Sequence, residues 1–233
     1  MKAIESDALV VRTIAYGEAD VITTLLTETH GKLSALLRGG RKSKRRAPGA
    51  LEPFHTVRVH LEDRGGDLVT MKDARIVKAR TGITGSLAAL EAAGLALRWL
   101  RHLSPPRHPE PAAWTTTTAL LDALDGCPAE PRAPLAVAAL RLLSDVGYRL
   151  DLEQCVACGR SCPEARPAYV DVGRGGLICR SCGGARLILS PRARRAGLAV
   201  QRGEDVELSK GDAEEILALA SGAMAAHGDF ETR

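Results

Sequence analysis

Phe54-His-Thr-Val-Arg-Val-His-Leu61 alternates apolar with polar side chains, the period-two pattern of a strand with one buried face. Downstream, Asp63-Arg64-Gly65-Gly66-Asp67 is a strong turn, and Leu68–Val77 forms the next strand. Upstream, Ala8–Thr13 and Val21–Glu28 are rich in β-branched and aliphatic residues, with Tyr16–Asp20 as the turn between them. Thr29-His30-Gly31-Lys32 then leads through a tight hairpin into Leu33–Leu37. Five short strands in about 75 residues, antiparallel by their hairpins, predict a small Greek-key barrel, and the OB-fold is the five-stranded barrel of this kind that binds nucleic acid. Phe54 belongs to its core.

The pattern changes near Arg80–Thr84. An Ala/Leu-rich stretch with Leu87, Leu90, Leu97 and Leu100 at helical spacing ends at Ser104-Pro105-Pro106. Pro111–Leu124, Pro134–Tyr148, Ser190–Leu198 and Lys210–Ala226 are further helix candidates, the last with Ser209 as N-cap and Asp212 three residues on, as in a capping box. The predicted class is α+β, multidomain: an OB-fold barrel over 1–80, a helical domain over 81–154, an inserted four-cysteine zinc module over 155–186, and C-terminal helices over 187–233 that complete the helical domain.

Chemistry concentrates at two places. Six cysteines stand at 127, 155, 158, 162, 179 and 182, and four of them form Cys155-Val-Ala-Cys158-Gly159 and Cys179-Arg-Ser-Cys182-Gly183. Two such turns face to face supply four soft ligands to one tetrahedral zinc ion, and the twenty residues between them fit the zinc template. Four thiolates leave no open coordination position, so the ion is structural. They also leave a formal charge of about −2, which Arg160, Arg180 and Arg186 are placed to offset. A reduced, metal-free loop is the bland alternative. Cys162, before Pro163 and without a following glycine, is left out of the ligand set, and Cys127 has no partner.

The second place is the basic segment. Arg38, Arg41, Lys42, Lys44, Arg45 and Arg46 put six cations and no acid into nine residues, so a chain of net charge +4 carries −2 elsewhere. Cations on a loop between the third and fourth strands can follow a phosphate backbone without fixed register. A solvated charge run, or a strip for an acidic protein, is the competing reading. Arg192, Arg194 and Arg195 form a smaller cluster that extends the same path or is an ordinary solvated helix face. Aromatic residues make up only 3% of the chain, and the first eighty residues hold just Tyr16 and Phe54. Base stacking is therefore a minor source of affinity, and binding to single- and double-stranded DNA is expected to be phosphate-dominated, with a steep salt dependence.

Catalytic signatures are missing. Gly31-Lys32 is followed by Leu33 and preceded by no glycine five positions before Gly31, so it is not a Walker motif, and no Gly-x-Ser-x-Gly, His-Glu-x-x-His or EF-hand loop occurs. His30, His55 and His60 read as surface or turn residues. No apolar run approaches the ~20 residues of a membrane span, and the first twelve residues lack a secretory signal, so a cytoplasmic, non-enzymatic protein is expected.

Several segments resemble, in order and spacing, the RecO family of bacterial recombination mediators. They are Ala8-Leu-Val-Val-Arg12, Tyr16-Gly-Glu-Ala-Asp20, Leu25-Leu-Thr27, His30-Gly-Lys-Leu-Ser34, Arg38-Gly-Gly-Arg41 and Leu51-Glu-Pro-Phe54. The likeness extends to Gly147-Tyr148 before the first cysteine pair and Gly175-Gly176-Leu177 before Cys179. It implies an OB-fold, a helical domain with a zinc module, and a nucleoid-associated role in homologous recombination repair. It further implies annealing of complementary strands and loading of RecA onto DNA coated by single-strand-binding protein, with RecR as direct partner and RecF in the same pathway. A second reading makes the chain an adaptor whose basic loop and zinc module dock proteins, with DNA contact secondary.

Overall fold

A computed structural model describes residues 2–41, 47, 49–126, 130–163 and 165–227; the sequence candidates Lys42, Lys44, Arg45, Arg46 and Cys127 lie outside the described residues. The chain forms two compact units, Met1–Gly126 and Cys127–Arg233. This division falls later than the change from strands to helices at 80–84, because the first two helices cluster with the strands that precede them.

In the first unit, β1 (Lys2–Tyr16), β2 (Asp20–Thr27), β3 (Gly31–Leu37), β4 (Thr56–Asp63) and β5 (Leu68–Lys78) close into a barrel in the order β1-β2-β3-β5-β4. Alternate residues point inward: Val21 and Leu25, Leu33 and Leu37, Val57, Val59 and Leu61 are among the buried core. That is the period-two pattern read from the sequence.

Two features of the barrel differ from the sequence reading. First, β1 is far longer than Ala8–Thr13. Its first half pairs with β4 (Lys2 with Asp63 through Leu9 with Thr56) and its second with β2, and the register shifts between Val10 and Arg12. A bulge bends a strand, which lets one strand serve two neighbours and close the sheet. Second, the pairing is not wholly antiparallel, since β3 and β5 run parallel over Ser34–Leu36 and Leu68–Thr70. Phe54 is buried as expected but precedes β4 rather than forming part of it, with a left-handed φ of 78°.

Behind the barrel, α1 (Leu87–Leu103) starts at Ser86, whose side chain accepts from the Ala89 N–H, and α2 (Pro111–Asp125) starts with proline in its first turn. A buried arginine ties barrel to helix. Arg80, 1% exposed, donates from Nε to Asp122 Oδ1 (2.7 Å) and from Nη1 to the Phe54 carbonyl (2.7 Å) and Thr56 Oγ1 (3.0 Å). Burial pushes the Asp122 carboxyl up, but its bonds to Lys78 and Arg80 hold it below the usual carboxylate range overall. His55 is buried rather than on the surface, and its Nδ1 lies 3.3 Å from the Arg80 N–H.

The second unit holds α3 (Arg132–Asp145), α4 (Pro191–Gln201) and α5 (Lys210–His227), and a four-stranded sheet. Small residues line the helix contacts, Ala136 and Ala139 on α3 and Ala213, Ala220 and Ala223 on α5 among them, and all five are fully buried. Ser209 Oγ and Asp212 bond reciprocally at the start of α5, the capping box read from the sequence. Among the described residues, no helix is long and apolar enough to cross a membrane.

Candidate metal centre and nucleic-acid interface

The cysteine module is built on strands that the sequence reading did not anticipate. β6 (Asp151–Cys155), β7 (Ala168–Asp171), β8 (Gly176–Leu177) and β9 (Leu187–Leu189) form a sheet in the order β6-β8-β7-β9. They are too short to show a period of two. Cys155 ends β6, and the chain turns back at once, with the Gly159 N–H donating to the Cys155 carbonyl (2.8 Å). Cys179 opens the matching turn after β8, closed by the Cys182 N–H to its carbonyl (2.9 Å). The glycine after each pair is in the left-handed region, Gly159 at φ 69° and Gly183 at φ 111°, where a side chain is strained.

These turns bring four sulfurs together. Those of Cys155, Cys158, Cys179 and Cys182 all lie within 4.8 Å of one another, and the group could hold a metal ion. Cys162 is not in the group. The Cys179 N–H donates to Cys155 Sγ (3.3 Å), and this bond, with further help from the N–H groups of Ala157 and Cys158, lowers the Cys155 thiol to about 6. Cys182 moves the opposite way: its contacts with the Cys179 and Cys158 sulfurs, and its burial, push it up to about 12. The two shifts describe one situation. A first thiolate is welcome here, and a further one is resisted until a cation joins the group.

Arg194 corrects the sequence reading. It is not a DNA contact: it is 2% exposed, and its guanidinium donates to the carbonyls of Leu152 (2.8 Å), Cys162 (2.9 Å), Pro163 (3.0 Å) and Glu153 (3.3 Å). Its position one turn before the buried Leu198 on α4 was the available signal. The charge is held by carbonyl dipoles, and the side chain staples α4 to the segment that carries Cys155 and Cys162. Arg194→Ala is expected to destabilise the second unit by about 2–4 kcal/mol, because several carbonyls lose their donor at once. Denaturant unfolding measures that loss, and Arg194→Lys is not expected to restore it, since one ammonium cannot reach four carbonyls. Arg192 and Arg195 are exposed, as a surface role requires, but Arg192 Nε is paired with Asp212 Oδ2 (2.8 Å).

Of the basic segment, Arg38 and Arg41 lie within the described residues, at the exit of β3. The Gly39 N–H donates to Asp20 Oδ1 (2.7 Å) and the Arg41 N–H to the Ala19 carbonyl (2.9 Å), so the segment leaves the barrel anchored on the β1–β2 turn. Both bonds use backbone donors. Arg38 is exposed, and so is Arg41, whose Nη1 is 3.5 Å from the Glu18 carbonyl.

A five-stranded barrel with a cationic connection after its third strand, joined to a helical unit bearing four clustered cysteines, is the combination that the sequence likeness implied. Comparison with known proteins bears this out along nearly the whole chain. The family model described as Recombination protein O N terminal matches residues 1–80, and the one described as Recombination protein O C terminal matches residues 85–229. A DNA repair protein RecO of Myxococcus xanthus is 36% identical over 206 residues, which cover 87% of this chain and 83% of the relative. The proteins of the same name from Geobacter sulfurreducens and from Anaeromyxobacter sp. (strain Fw109-5) are each 38% identical, covering 78% and 75% of this chain and 74% and 68% of their own lengths. With both terminal models matched in order and relatives of this identity spanning most of both chains, the protein belongs to the recombination protein O family.

Proposed function

We propose that the chain is a DNA-binding mediator of recombination repair that acts by holding nucleic acid and partner proteins rather than by bond-making chemistry. The observation that carries this reading is the charge distribution: the six cations of 38–46 fall, in sequence, in the connection between β3 and β4 of a closed β-barrel, while the remaining chain is slightly acidic. Neutralising phosphates there releases counterions and lowers the repulsion between two strands. On this reading the protein binds single- and double-stranded DNA, lets complementary strands meet and anneal, and with RecR helps load RecA onto DNA coated by single-strand-binding protein. Its place is then the cytoplasm, on the nucleoid.

The metal in this reading is one structural zinc per chain. Tetrahedral coordination by sulfurs at ~2.3 Å from the ion sets them ~3.8 Å apart, and Cys158 Sγ and Cys179 Sγ are 3.8 Å apart. Cys155, Cys158, Cys179 and Cys182 would be its ligands, and the ion would neutralise their charge and lock the two turns of the module together.

An adaptor role is favoured by one observation, an open groove of about 510 Å³ beside the sulfurs, lined in part by Arg160, Arg166, Tyr169, Ile178, Arg180 and Ile188. Titration of oligonucleotides across salt concentrations, with no partner protein present, separates the two readings. The mediator reading expects binding with a log–log salt slope of several units on both single strand and duplex. A slope near zero, or no binding in dilute buffer, leaves the adaptor.

A further inference from the structure

Many cations of the barrel unit are neutralised within it. Arg58 pairs with Asp7, Lys72 with Glu62, Arg107 with Asp63, and Lys78 and Arg80 with Asp122. Three arginines that the sequence scatters are not. Arg12 projects from the exposed outer face of β1, in the register position opposite Thr24, and Arg98 and Arg101 stand three apart on α1, hence on one face of that helix. Among the described residues none of the three forms an ion pair, although Arg12 and Arg98 are exposed and Arg101 is half-buried.

The groups are close enough to repel one another. Burial holds the Arg101 guanidinium below its ordinary value, and the charges of Arg12 and Arg98 lower it further. Lys32 stands at the edge of this field, where its ammonium donates to the Arg101 carbonyl at the end of α1 and faces the Glu110 carboxylate. Uncompensated like charge of this kind weakens the folded state unless an anion arrives from outside. Arg98 and Arg101, with Val11, Phe54 and Leu97, line an open cleft of about 290 Å³ between β1 and α1. Gly94, one turn before Arg98, leaves that cleft uncovered, for a side chain there would meet nothing within 4 Å.

We propose that Arg12, Arg98 and Arg101 form a second phosphate site on the barrel unit, outside the 38–46 segment, which holds the backbone of the same bound nucleic-acid strand. The inference rests on the DNA-binding reading above and extends it to residues of β1 and α1. Guanidinium forks match phosphate oxygens in pairs, and the path between the two sites is continuous. Arg41 is anchored on the β1–β2 turn, and from there β1 runs back to Arg12 through outward-facing Tyr16 and Ile14, which are 54% and 40% exposed. At ~3.3 Å per residue, that interval is within the span of a short single strand, and its side chains give the bases an apolar surface to lie on.

The test is fluorescence anisotropy of a short single strand and of a duplex with the full-length protein, read across salt. Arg12→Ala/Arg98→Ala removes two exposed charges, so the fold is expected to hold, as a thermal melt will verify. Expected are an affinity about tenfold lower at low salt and a salt slope shallower by about 1 to 2 on either substrate, one step per lost phosphate contact. Arg12→Lys/Arg98→Lys keeps the charges and is expected to retain most of the slope. Arg98→Ala/Arg101→Ala is expected to match the first variant. Wild-type affinity and slope in both alanine variants, with the wild-type protein binding DNA steeply, overturn this site and leave the DNA-binding reading standing. Wild-type protein that ignores both oligonucleotides overturns that reading and this site with it.

Discussion

If the Cys155–Cys158–Cys179–Cys182 group holds the structural zinc proposed above, a chelator is expected to unfold the cysteine module and destabilise the unit that holds it, while the β-barrel stays folded. The strands of that module run from two to five residues, and its two turns rest on backbone bonds and left-handed glycines. Sheets this small are not stable on their own, and four sulfurs within 4.8 Å of one another repel as thiolates unless a cation sits among them. The binding free energy of a structural zinc is folding free energy, about 10 kcal/mol or more in small zinc domains at neutral pH. Arg194 also holds the segment that carries Cys155, through its bonds to the Leu152 and Glu153 carbonyls. Chelation should therefore lower the melting temperature of the second unit sharply and open 151–189 to protease, with the barrel's transition unchanged. Cys155→Ser should do the same without chelator, since it replaces the sulfur of the group that is 2% exposed. Acid should release the metal as protons compete for the sulfurs. Protein purified without added zinc and found to contain almost none, yet equally resistant to protease, would defeat the assignment.

The other large effect belongs to the basic segment. Arg41→Glu combined with Lys42→Glu changes the local charge by four units, and DNA affinity at low salt is expected to fall by about 100-fold or more, with annealing lost in parallel. The fold should survive, because the shorter bonds anchoring the segment to the β1–β2 turn are made by the backbone N–H groups of Gly39 and Arg41, and the exchange costs only the exposed 3.5 Å contact of Arg41 Nη1 with the Glu18 carbonyl. Metal content should likewise be unchanged, since the four cysteines belong to the other compact unit. Anisotropy titration and a strand-annealing assay measure the first two effects, and metal analysis the third. Undiminished affinity would show that the segment is not the DNA contact. The barrel site at Arg12, Arg98 and Arg101 is expected to retain weak, salt-sensitive binding in the reversed variant, so the residual slope is itself informative.

Much of the molecule was legible before any coordinates. Alternation at 54–61 marked β4 to within two residues at either end, Ser104-Pro105-Pro106 marked the end of α1, and cysteine spacing picked out the four sulfurs that converge. The basic segment stood out by charge alone. Each of these signals is local: a strand, a helix cap and a ligand-bearing turn are set by residues a few positions apart, whose periodicity and chemistry survive in one dimension.

What tertiary structure decided is which distant residues meet and which are buried. Nothing in Arg192-Ala-Arg194-Arg195 distinguishes the middle arginine by composition, yet four carbonyls surround its guanidinium while its neighbours face solvent. The double pairing of β1 and the parallel contact of β3 with β5 follow from closing a sheet on itself, a constraint felt only by all five strands together. Arg80 became a buried link, and Arg12 came to stand with Arg98 and Arg101, for the same reason. Burial and long-range proximity are properties of the packed chain, and it is packing that turns one arginine into a brace and leaves another free to hold phosphate.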